Sequence, residues 1–166
     1  MTLKNVVRLA LCAVTLALLG FSPSRVFGAT ATTTFAVSAT VPATCIVSAT
    51  PMAFGSYTGV LINTVTSTIT VTCTNTTPYN VGLSAGLATG ATVTTRKMTS
   101  GANTLGYSLF SDSGRTQNWG VTIGTDTVAG TGNGAAQVLT VYGQVAAGQY
   151  VTPATYTDTI TATVTY

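Results

Sequence analysis

The chain has 166 residues, with six Lys or Arg, three Asp, and neither Glu nor His. One domain around one core is expected from that length. So few carboxylates, and no imidazole, leave little for acid–base catalysis or metal chelation, so no enzyme activity, cofactor or metal is expected.

Lys4 and Arg8 precede an apolar run, Leu9–Phe21, and small residues follow it. This is the layout of a secretory signal peptide over residues 1–28, with cleavage after Gly28 or after Ala31. The run is shorter than the about 20 apolar residues a bilayer span takes, so no membrane insertion is expected once the signal is removed. Cys12 follows Leu11 within the run, which does not fit a lipoprotein signal. Cleavage also removes Lys4, Arg8 and Arg25. Arg96, Lys97 and Arg115 then stand against Asp112, Asp126 and Asp158, and the mature chain is neutral. No cluster of cations remains for nucleic acid. A neutral, charge-poor chain repels its own copies weakly, which suits a protein that assembles.

The mature chain opens on TTTFAVSATV, Thr32–Val41, in which Phe35, Val37, Ala39 and Val41 alternate with Ala36, Ser38 and Thr40. Period two predicts a half-buried strand. Pro42 follows, and proline removes a ladder donor, so this strand need not continue into the next one. Residues 29–41 therefore read as a detachable N-terminal strand and 42–166 as the domain. Cys45 and Cys73 come next, an even pair in an exported chain. They read as a disulfide, the alternative being two buried thiols. The bridge would close a loop of about 28 residues, for roughly 3–4 kcal/mol by loop entropy.

Four further segments alternate in the same way. Asn63–Asn75 places Val65, Ile69, Val71 and Cys73 on one face, and Tyr79–Ala85 does so with Tyr79, Val81, Leu83 and Ala85. Leu105, Tyr107 and Leu109 form the third set, and Leu139, Val141 and Val145 the fourth. Turn clusters such as SAGLATG, SDSGRT and AGTGNG lie between. The final stretch, Thr157–Tyr166, places Ile160, Ala162, Val164 and Tyr166 on one face. Short β-branched strands at close spacing predict an all-β sandwich.

Motifs that suggest chemistry are weak. Asp112-Ser113-Gly114 is half of an aspartic-protease signature without a second half, and reads as an ordinary turn. Ser100 near Lys97 could form a dyad only if geometry joined them. Gly130–Gly134 is followed by alternation rather than a helix, so it reads as a flexible hairpin and not a phosphate loop. Asn75-Thr76-Thr77 fits a glycosylation sequon. Trp119, the single tryptophan, could stack on a sugar but is more readily a core residue.

Taken together, CTNTTPYNVGLSAG, GATVTTRKM, ANTLGYSLFSDSGRTQNWG, LTVYGQV and YTDTITATVTY resemble the spore coat protein U domain family, which is similar to the subunits of archaic chaperone–usher pili. The likeness runs over Thr32–Tyr166. Val121 departs from the acidic residue frequent after Trp-Gly, and Gln144 from the Arg frequent after Val-Tyr-Gly. The resemblance implies an immunoglobulin-like sandwich lacking its last strand and completed by a donor strand. It implies a periplasmic pilus chaperone, an outer-membrane usher and neighbouring pilin subunits as partners. It also implies export through the periplasm to the cell surface, with roles in adhesion or biofilm formation. Phe35, Val37, Ala39 and Val41 would anchor the donated strand. Ile160, Ala162, Val164 and Tyr166 would line the groove and the chaperone edge, and Cys45–Cys73 would brace the sandwich. The alternatives are a spore-coat or outer-surface component using the same exchange, and a monomeric secreted binding module.

Overall fold

The computed structural model describes residues 27–166, so nearly all of the expected signal segment lies outside the described residues. The chain divides into two units, Met1–Ala39 and Thr40–Tyr166. In the first, the described residues form neither helix nor strand. Phe35 and Val37 are 85% and 83% exposed. The strand expected over Thr32–Val41 is thus not formed among the described residues: Thr40 and Val41, which open the second unit, also have no ladder partner there. A strand is defined by its pairing, and here the sequence pattern has nothing to pair with.

The second unit holds eight strands: β1 (Cys45–Ala49), β2 (Asn63–Cys73), β3 (Pro78–Leu83), β4 (Arg96–Ser100), β5 (Asn103–Phe110), β6 (Val128–Thr131), β7 (Gln137–Val145) and β8 (Ala162–Thr165). Five form one sheet in the order β1-β2-β7-β5-β4, and three form another, β6-β3-β8. Every pairing is antiparallel. The alternation in β2, β3, β5 and β7 turns Ile69, Val71, Tyr79, Val81, Leu83, Leu105, Leu109, Val141 and Val145 into one core. The other faces of β2, β5 and β7 carry residues such as Thr66, Ser108 and Gln144, exposed or half-buried, as a sheet with one wet side requires.

Trp119 is fully buried. Its backbone N–H donates to Leu109 O of β5 at 2.9 Å, and its indole Nε1 donates to Val81 O of β3 at 2.8 Å. One residue thus fastens the two sheets together, and its burial is what the core reading anticipated. The disulfide forms between Cys45 and Cys73, which face each other across the β1–β2 ladder. It braces the sandwich by fixing an edge strand to its neighbour within one sheet.

Two expectations change. Gly130–Gly134 is not a hairpin tip. Gly130 and Thr131 end β6, which belongs to the three-stranded sheet, and β7 after the segment belongs to the five-stranded one, so the segment crosses between sheets. Nor is it loose: Gly132 N donates to Thr77 O at 2.7 Å, and Gly134 N to Cys73 O at 3.1 Å. The C-terminal stretch is also not one strand. Thr157 bridges to Thr99 of β4, whereas β8 pairs with β3 only from Ala162. Asp158–Thr161 runs between the two ladders, so this segment passes from the edge of one sheet to the edge of the other.

Candidate functional site

β8 ends the order of its sheet: one edge pairs with β3, and among the described residues the other edge has no ladder partner. β1 ends the order of the other sheet. An open groove of about 580 Å³ lies between the segments that flank these strands. Tyr156–Ile160 and Ala162 line it from the C-terminal side, and Ala49–Met52 and Phe54 from the β1 side. Ile69, Leu109, Tyr107 and Val141, inner-face residues of the five-stranded sheet, also line it. Three strands cannot cover a sheet of five, and the uncovered inner face becomes this apolar trough. An unpaired edge beside exposed core surface is a feature that folded proteins normally cover.

The groove has one charge in its lining, Asp158. Its Oδ2 accepts from the Tyr107 hydroxyl at 2.7 Å, and its Oδ1 accepts from Leu87 N and Thr159 N, both at 2.8 Å. Gly86 approaches this carboxylate with φ +89°, a backbone conformation that glycine adopts without strain. Behind them Arg96 is 1% exposed. Its guanidinium donates to four carbonyls: Leu83 O at 2.9 Å, Ser84 O at 2.8 Å, Val93 O at 2.6 Å and Trp119 O at 2.6 Å. Burial lowers the Arg96 pKa, and the nearby Tyr107, Asp126 and Asp158 partly offset that. Burial, and then the hydrogen bond to Asp158, push the Tyr107 phenol far above its ordinary value. Tyr107 therefore stays a neutral donor.

Of the residues expected at the site, Ile160 and Ala162 line the groove. Val164 is half-buried against the core, and Tyr166 is 57% exposed. Phe35, Val37, Ala39 and Val41 are all exposed. Met52, Phe54, Tyr156 and Asp158 were not anticipated. The period-two row Ile160, Ala162, Val164 extends back to Asp158 and Tyr156, and a carboxylate within an apolar row was the available signal for them.

The weaker motifs resolve as structure. Asp112 accepts from Thr116 N and Gln117 N at 2.9 and 2.7 Å, closing a turn. Asp126 accepts from Thr122 N at 2.6 Å. Lys97 and Ser100 are three positions apart on β4, so they point to opposite faces and form no dyad.

The spore coat protein U domain model matches residues 31–163. Protein U of Myxococcus xanthus is 35% identical over 181 residues, covering 98% of this chain and 99% of that protein. Among solved structures, the crystal structure of the CsuC–CsuE chaperone–tip adhesion subunit pre-assembly complex, from the archaic chaperone–usher Csu pili of Acinetobacter baumannii, is similar at a TM-score of 0.58 and 25% identity. The match covers 76% of this chain, which spans 40% of the matched chain. The two antiparallel sheets accordingly form an immunoglobulin-like sandwich. By the family model over its domain and the relative along its whole length, this chain belongs to the spore coat protein U domain family.

Proposed function

We propose that this chain is a secreted structural subunit of a chaperone–usher type pilus, polymerising by strand donation. Thr32–Val41 of one copy enters the groove of the next, beside the free edge of β8. The observation that carries this reading is the pairing of two incomplete halves in one sequence. One is a trough bordered by an unpaired edge strand. The other is an exposed segment with strand alternation and no ladder partner among the described residues. Burying Phe35, Val37 and Val41 contributes roughly 1.5–3 kcal/mol each, and a new backbone ladder adds to it. A donor and an acceptor at different places on one molecule make a heterologous contact that does not close, so it grows into a filament.

The likeness to a chaperone–subunit complex supports a periplasmic chaperone as the first occupant of the groove. An outer-membrane usher, delivery through the periplasm to the cell surface, and adhesion or biofilm formation complete the proposal. A coat component using the same exchange is the second reading, favoured by the family's description and by the full-length likeness to Protein U. The test is a denaturant-resistant ladder of oligomers from the secreted protein. The Phe35→Asp/Val37→Asp chain should give monomer only. An unchanged ladder from that variant would overturn strand donation in either setting.

A further inference from the structure

The groove wall contains a stretch, Asp158–Thr161, that belongs to no ladder. Its ends are held: Thr157 exchanges backbone hydrogen bonds with Thr99 at 2.8 and 3.0 Å, and Thr161 N donates to Ser84 Oγ at 2.9 Å. Between them Ile160 packs against the core, and among the described residues the side-chain hydrogen bonds from the wall to the rest of the groove are those of Asp158. It reaches Tyr107 on β5 and Leu87 N in the loop after β3. Three elements with no shared ladder are thus held at fixed spacing by one carboxylate. A charge placed in an apolar lining is costly, and full satisfaction of its oxygens offsets that cost.

We infer that Asp158 and Tyr107 are positioning residues for strand acceptance: their bond holds the wall beside β8 at the width an incoming strand needs. This inference rests on the strand-donation reading above. An untied wall can relax over the apolar lining formed by Ile69, Leu109 and Val141, and the trough then closes on itself. The tie serves acceptance only, because it lies in the groove and not in the donated segment. Donation and acceptance therefore become separable by single substitutions.

The experiment uses complementation between secreted full-length chains. Asp158→Ala should lower the oligomer ladder at least tenfold. Tyr107→Phe, which removes one hydroxyl, should lower it about fivefold, in keeping with the net loss of one hydrogen bond. Val37→Asp chains should accept but not donate, and Asp158→Ala chains should donate but not accept. Each alone should be monomeric, and their mixture should yield a discrete dimer. Val145→Ala, in the core away from the groove lining, should lower the melting temperature while keeping the ladder, which separates positioning from general stability. If both Asp158→Ala and Tyr107→Phe keep a normal ladder, or if Val145→Ala at equal loss of stability abolishes it, the inference is overturned. If Val37→Asp alone still forms the ladder, strand donation itself fails and the inference falls with it. A ladder lost in Val37→Asp but kept in both Asp158→Ala and Tyr107→Phe overturns the tie and leaves donation standing.

Discussion

β2 and the segment Thr32–Val41 are written in almost the same way, apolar residues alternating with threonine, serine or alanine. Their fates are opposite. β2 pairs with β1 on one edge and β7 on the other, and its Ile69, Val71 and Cys73 are at most 2% exposed. Thr32–Val41 pairs with nothing among the described residues, and its Phe35 is 85% exposed. β8 stands between them with one partner and, among the described residues, one free edge. Period two thus reports which face of a segment suits a core. It does not say whether the same chain supplies that core, because a sheet residue gains stability only through cross-strand and facing neighbours.

The contrast can be broken most strongly inside β2. Val71→Asp places an uncompensated charge at a fully buried position, a loss of about 4 kcal/mol or more, and should yield no protease-resistant secreted protein. Next comes the tie between β2 and the edge strand β1. Replacing Cys45 and Cys73 together by alanine should cost about 3–4 kcal/mol, read as a lower urea midpoint. The same kind of change in the unpaired segment should do almost nothing to the domain. Phe35→Asp/Val37→Asp should shift unfolding of the monomer by less than about 0.5 kcal/mol while removing assembly, and a large shift would mean that the segment is part of the monomer's core.

The smallest effect concerns a turn outside this contrast. The hydrogen bond from Gln117 N, joined by those from Thr116, holds the Asp112 carboxyl below its ordinary value of 3.8 against the opposing effect of desolvation. A folded-state pKa below the unfolded one adds stability that is fully present above the unfolded value. That stability is lost as pH falls through the folded one. The urea midpoint should therefore fall on acidification below about pH 4, and less steeply in Asp112→Asn.

The strands with clean alternation, β2, β3, β5 and β7, were legible because each buries one whole face. β1, β4 and β6 were not, for separate reasons. β1 is a five-residue edge strand whose side chains are mostly exposed. β4 opens with Arg96-Lys97, which looks like a polar loop until Arg96 is seen to turn inward and bond four carbonyls. β6 contains Gly130, which looks like a turn residue. Its missing side chain instead leaves room for the Tyr79 ring across the β3–β6 ladder. In the groove, Ile160 and Ala162 followed from alternation. Met52 and Phe54 did not, because they follow a proline in a stretch with no period, and only the shortage of strands in the second sheet gives them a surface to line. The role of Asp158 depends on Tyr107, 51 residues away, and no local pattern reports such a pair.

Trp119 has a practical consequence. It is the single tryptophan of the chain, fully buried, bonded to both sheets and absent from the groove lining. Its emission is therefore an optical readout of whether the two sheets are together. Strand exchange in the groove should leave the spectrum in place, whereas unfolding should move it to the red. Polymerisation and denaturation, which would both change the apparent size of the protein, can then be followed independently in one cuvette, without a label.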